Sequence, residues 1–109
     1  MELRELKHMP KIELHCHLDG SVRPETALEI GVRLGILSES TTLNQVRHLL
    51  MAPTDCDSLD TYLKTFDLPI AIMQTVDVIE RIAFELFEDA AIESVRYLEV
   101  RFAPFLHNR

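Results

Sequence analysis

Tryptophan is absent from this 109-residue chain, and that absence says nothing about function. Cysteine is scarce. Cys16 and Cys56 stand 40 positions apart with no Cys-x-x-Cys spacing. Nothing in that pattern argues for a disulfide framework, and a reducing cytosol is the simpler setting. Three glycines and five prolines leave no flexible linker, so one uninterrupted domain piece is expected. Basic residues are outnumbered, with 11 Lys and Arg against 18 Asp and Glu, a formal charge of −7. The imbalance is sharpest in residues 55–109, which hold 11 of the acidic groups and 5 of the basic ones. No basic stripe exists to neutralise phosphates, which argues against nucleic-acid binding. An anionic membrane would repel the same surface. Long apolar runs are missing too. The longest, Leu68 to Met73, falls far short of the ~20 residues of a membrane helix. Met1 to Met9 alternates charged and apolar residues and lacks the apolar stretch of a secretory signal. A soluble, cytoplasmic protein is expected.

What remains is ordinary globular composition, 47% apolar and 27% charged, which excludes a disordered tail. The length suits one modest domain that buries roughly two-thirds of its unfolded surface. It falls short of the ~250 residues of an eight-stranded α/β barrel.

From Lys11 to Leu18 the residues alternate strictly. Ile12, Leu14, Cys16 and Leu18 share one parity; Lys11, Glu13, His15 and His17 share the other. Period two predicts a strand with one apolar and one polar face. Asp19-Gly20 then supplies turn chemistry. A helix is expected from Pro24, with Gly35 at its exit and Ala27, Leu28, Gly31 and Leu34 as its core stripe. A short helix is expected over Leu43 to Met51. Another begins after Ser58 as N-cap, with Leu59, Tyr62, Leu63 and Phe66 on one face, and Pro69 interrupts it. The clearest periodicity runs from Val76 to Ala91. Val76, Ile79, Ala83, Leu86 and Ala90 face inward there, and Glu80, Arg81, Glu85 and Glu88 face outward. A second strand is expected over Val95 to Ala103. Strand, helices, strand with so long a connection is the opening unit of a parallel α/β fold.

The chemistry concentrates in His15-Cys16-His17-Leu18-Asp19-Gly20. Residues two apart on a strand point the same way, with Cα atoms ~6.6 Å apart. Two imidazoles on one face can therefore converge on one ion, and neutral imidazole is a common zinc ligand. A solvent-facing edge strand would give the same parity without any metal. Catalytic zinc takes three protein ligands or more, so the pair is half a site. Of the other histidines, His8 precedes the strand, His48 sits in a helix, and His107 follows the second strand. His107 stands at the right end of a strand to reach the site, but the simpler expectation for it is a surface loop. Glu99 and Arg101 share a face and are not assigned a catalytic role. A glycine-rich phosphate loop, a G-x-S-x-G elbow and the H-x-E with P-C-x-x-C of base-acting zinc deaminases are all lacking. Cys16 lies on the apolar parity, which disfavours it as a nucleophile.

Residues Pro10 to Ser21, followed by Arg23-Pro24-Glu25-Thr26, resemble the N-terminal signature of the adenosine deaminase family. Leu59 to Asp67 resembles the segment that gates the pocket in that family, and Tyr97 to Pro104 resembles its second barrel strand. The resemblance implies a metal-dependent hydrolase of the TIM-type (β/α)8 class. Residues 1–109 would form an incomplete N-terminal part of a single barrel domain, about two strands with the helices between them. It implies His15 and His17 as zinc ligands, His17 and Asp19 as substrate-binding residues, and Leu59, Tyr62, Leu63 and Phe66 as a hydrophobic lid. An ordinary amphipathic helix would explain those four equally well. The implied reaction is hydrolytic deamination of adenosine or 2′-deoxyadenosine, with one zinc ion per complete site. The general acid and remaining ligands would come from later strands, so no catalytic residue is expected in this chain and it would be inactive alone. Aspartate at position 19, where adenine deaminases tend to carry glutamate, favours a nucleoside over a free base. Adenine deaminase is the neighbouring alternative, and a non-catalytic interaction module is the alternative from another class. The length then reads as a portion of a longer enzyme.

Overall fold

The computed structural model describes residues 2–108. The alternating segment forms strand β1, Lys11–His17, and the second one forms β2, Val95–Arg101. They pair in parallel, with Lys11 beside Val95, Glu13 beside Leu98 and His17 beside Arg101. Between them run α2 (Pro24–Arg33), α3 (Leu43–Leu50), α4 (Leu59–Leu63), α5 (Asp67–Ile72) and α6 (Val76–Ile92). A further helix, α1 (Leu3–His8), precedes β1. It was not legible from charge alternation, and a reciprocal capping box between Glu2 and Glu5 starts it. No helix among the described residues is long and apolar enough to cross a membrane.

The core lies between the sheet and α2, α3, α5 and α6. Ala27, Ile30, Val46, Ile72, Met73 and Ile82 are its most enclosed apolar residues. Burial of each large aliphatic side chain there contributes about 1.5–3 kcal/mol. Helix α2 is stopped just past its C-cap Leu34 by Gly35, whose φ of +74° costs a glycine little. Ile36 N–H donates to Gly31 O and Gly35 N–H to Val32 O, the paired bonds of a Schellman stop.

Several inward faces differ from the expected ones. In α2, Ile30 is buried and Leu34 is exposed, because the Schellman turn carries Leu34 off the packed face. In α6 the core residues are Val78, Ile82 and Leu86, while Val76 is 81% exposed. Val76 lies about 200° round the helix from Val78. Arg81 and Glu85, expected outward, turn toward α2. Glu85 accepts from Thr26 Oγ1 and pairs with Arg23, and Arg81 pairs with Glu29. Pro69 does not interrupt a helix but sits in the first turn of α5, where its missing N–H has no partner to lose. A 3-10 turn, Lys64–Phe66, joins α4 to α5. Strand β2 stops at Arg101 rather than Ala103, because Pro104 opens a second 3-10 turn, Pro104–His107. On β1, Ile12 and Leu14 are exposed despite their apolar parity, whereas Leu18 is buried.

Candidate active site

The site grows from the end of β1. Leu18 N–H still reaches β2, donating to Arg101 O at 2.8 Å. The chain then turns sharply, with Gly20 N–H and Ser21 Oγ both donating to His17 O. That turn draws Asp19 inward until its residue is 6% exposed. A Cβ on Gly20 would sit 3.3 Å from the Phe66 ring, so the glycine lets the α4–α5 segment close on the turn. Arg23 anchors the far side, reaching Asp89 through Nε and Nη2 and Glu88 through Nη2. Those hydrogen bonds, Asp89's first, raise its already high pKa.

His15 and His17 project to the same side, as period two demands. Their Nε2 atoms are 3.0 Å apart and the rings meet edge to face. As a hydrogen bond, this contact requires one Nε2–H and one bare Nε2. Around a shared cation both would be bare, and two tetrahedral zinc ligands at ~2.0–2.1 Å leave their nitrogens roughly 3.3 Å apart. The donor set and its spacing therefore fit a metal. Among the described residues no group of three or more His, Cys, Asp or Glu is placed to hold one. Glu13, of the same parity, is occupied with His15 N–H.

An open cleft of about 460 Å³ lies beside the pair. His17, Asp19, Tyr62, Leu63 and Phe66 all line it. The Phe66 ring stands 6.2 Å from His17 and 5.7 Å from Tyr62, centroid to centroid. Leu59, expected with these aromatics, is 70% exposed and stands outside the lining. Its position at the first residue of α4 turns it away from the cleft.

His107 corrects the expectation of a surface loop, since it is buried. Its Nδ1 lies 3.0 Å from Met73 O, and its Nε2 lies 4.0 Å from Asp19 Oδ2. Asp19 Oδ1 and His107 Nε2 are both buried without a hydrogen-bond partner. The position of His107 just beyond β2 was the one available signal. Its burial depends on how the 3-10 turn folds back, which no periodicity reports. Glu99 and Arg101 form no ion pair with each other. Tyr97 Oη donates to Glu99, and Arg101 Nη2 donates to Leu14 O. Cys16 is half-buried, 3.3 Å from Ser21 Oγ, and both cysteines are free.

Comparison with known proteins bears on this arrangement. A family model described as adenosine deaminase matches residues 10–109. The chain is 54% identical over 99 residues to an adenosine deaminase of Vibrio vulnificus, covering 91% of this chain and 30% of that protein. It is 51% identical over 102 residues to one of Clostridium perfringens, covering 94% and 31%. Among solved structures it resembles an Arabidopsis N6-mAMP deaminase, with a TM-score of 0.70 and 32% identity over 98% of this chain and 32% of the other. An Arabidopsis ADAL complexed with IMP matches with the same score, identity and coverage. These neighbours are TIM-barrel enzymes, and the two parallel strands with their helices match about a third of one. The chain spans about a third of the length of the proteins it matches.

Proposed function

The chain belongs to the adenosine deaminase family, and from that membership we propose that it supplies half of a zinc site and one wall of a purine-nucleoside pocket. The deaminase containing it hydrolyses adenosine or 2′-deoxyadenosine to the inosine form and ammonia. The observation that carries this reading is one cleft holding His17, Asp19 and an aromatic wall, beside two imidazole nitrogens 3.0 Å apart.

In this reading His15 and His17 would hold the zinc through their imidazoles. Lewis-acid activation of water near neutral pH is the chemistry that zinc supplies when bound. Asp19, which lines the cleft, accepts a hydrogen bond from a ribose hydroxyl. Tyr62, Leu63 and Phe66 form an apolar wall that covers the purine and excludes water from its face. Among the described residues that line the cleft there is no lysine or arginine. The 109 residues by themselves do not turn over, because two nitrogen ligands leave the metal shell short.

A chimera tests the proposal. This chain replaces the matched segment of the Vibrio vulnificus adenosine deaminase, and ammonia release is measured. We expect a folded chimera that retains zinc and prefers adenosine to adenine and to AMP. The isolated chain is expected to release no ammonia. A folded chimera that holds no zinc or prefers adenine overturns the reading and favours the adenine deaminase or the non-catalytic alternative.

A further inference from the structure

Helix α6 carries two flanks of opposite chemistry. We propose that the apolar one, formed by Val76, Ile79, Ala83, Phe87 and Ala90, is the docking face for the crossover helix that follows β2 in the intact deaminase. This docking face follows from the family and the fold and does not depend on the nucleoside reading of the cleft.

The geometry begins from the helix repeat. Ile82 marks the centre of the buried side of α6. At ~100° per residue, Arg81, Glu85 and Glu88 lie about 60–120° round from Ile82 in one direction. Val76, Ile79, Ala83, Phe87 and Ala90 lie about 60–140° round in the other. The charged flank is taken by α2, where Glu85 meets Thr26 and Arg23, and Arg81 meets Glu29. The opposite flank holds no charged residue within its arc. Ile79 and Ala83 lean partly on the core, but Val76 is 81% and Phe87 55% exposed. This flank makes up most of the stripe that periodicity marks as inward from Val76 to Ala90. The fully buried residues of α6 are Val78, Ile82 and Leu86. The apolar stripe is therefore wider than the core covers, as on a helix with a second neighbour.

Chain direction selects the occupant. β1, α6 and β2 form one parallel crossover unit, and such units are right-handed in nearly all proteins. The solved neighbours are TIM-barrel enzymes, in which each parallel strand is followed by a helix of the outer ring. The helix after β2 then lies in the layer of α6, one step further round. Arg23, in the turn after β1, leads into α2, so α2 marks the β1 side of α6. The apolar flank faces the other way, toward β2 and the strand beyond it. The proteins that this chain matches are about three times as long, enough to supply that helix. Ala83 and Ala90 are small beside Phe87, leaving hollows for large apolar side chains of a helix packed roughly 8–10 Å away. A second copy of the chain fits less well. Glu80 borders the flank and the chain carries −7 overall, so two copies joined there would bring like charges together.

Thiol labelling in the chimera and in the isolated chain tests this. Val76→Cys, which nearly conserves volume, Phe87→Cys and Phe84→Cys are made singly. Phe84 is the control, 64% exposed and pointing away from the core, about 160° round from Ile82. Peptide masses separate these sites from the free Cys16 and Cys56. In the dilute isolated chain all three should label freely. In the folded chimera, Val76→Cys and Phe87→Cys should label at least about tenfold more slowly, through local opening alone, while Phe84→Cys keeps its rate. Flank thiols that label as fast as Phe84→Cys in the folded chimera overturn the proposal. Protection in the isolated chain that grows with its concentration assigns the flank to a second copy and overturns it too. Protection of all three sites in the chimera, Phe84→Cys included, assigns the face to contacts between enzyme molecules, with the same consequence. A chimera that does not fold also counts against it, since a flank shaped for that helix should accept it from a relative 54% identical over 99 residues. The readout needs no turnover, so a folded chimera that prefers adenine or lacks zinc, with the flank thiols protected, overturns the nucleoside reading and leaves the docking face standing.

Discussion

A Cβ placed on Gly31 would lie 2.6 Å from Leu37 Cδ1 and 2.9 Å from its Cγ. Rotating the tip of Leu37 relieves the first contact but not the second, which takes a change of χ1 in the packed side chain or a shift of the 36–37 turn. Gly31→Ala is therefore expected to destabilise the chain by about 1–3 kcal/mol despite alanine's better helix propensity. Denaturant titration checks this. No change or a stabilisation would show that the turn yields freely. The same scale governs the site. Asp19 sits in a turn closed on His17 O and Leu18 O, with Leu18 N–H tied to Arg101 O of β2, so its backbone is placed by the paired ends of the two strands. His107 is the opposite case, a residue whose burial depends wholly on what folds against it.

At the scale of elements, α6 ties the layers together. Its side toward α2 carries Glu85, Glu88 and Asp89, which receive Arg23 from the turn after β1. Its N-terminus carries Asp77, whose pKa is lowered. The Thr75 hydroxyl is the largest cause, followed by the amides of Asp77 and Val78. A depressed carboxyl pKa contributes stability that is complete above the unfolded value of 3.8 and is lost as pH falls through the folded value. Wild type should therefore lose more stability than Asp77→Asn between about pH 5 and pH 2.5. The difference between their unfolding curves isolates Asp77 from the other carboxylates. Parallel curves would show that the Thr75 contact adds nothing.

The whole molecule is open for its mass. It exposes 7790 Å², against about 6200 Å² for a compact monomer of this mass. The radius of gyration is 15.1 Å, against about 13 Å expected for this length. The excess lies partly on the sheet, where among the described residues β1 and β2 pair only with each other and Ile12 and Leu14 are exposed. Parallel sheets are ordinarily covered on both faces, and open edges invite pairing with another chain. The 109-residue chain is expected to self-associate as its concentration rises. Ile12→Lys with Leu14→Lys should suppress that association. Sedimentation velocity measures both, and a wild-type chain that stays monomeric at high concentration would show that these faces are tolerated in water.

Both strands and the helices α2, α3 and α6 were legible along the chain, because period two and period 3.6 are local properties of the backbone, and the long connection between the strands implied their parallel pairing. The sequence also determined that His15 and His17 share a side and that Asp19 follows at a turn. Only the tertiary structure decided which faces are inside. Val76 and Leu34 fit a helical stripe but lie where no partner reaches them, and Glu85 is charged but meets Thr26, Arg23 and Arg81. It also decided that Leu59 stands apart from Tyr62, Leu63 and Phe66, and that His107 is buried against Asp19. These outcomes depend on contacts between residues up to 88 positions apart, Asp19 and His107 being such a pair. Periodicity reports what a segment can bury; the packing of the other segments selects what it does bury.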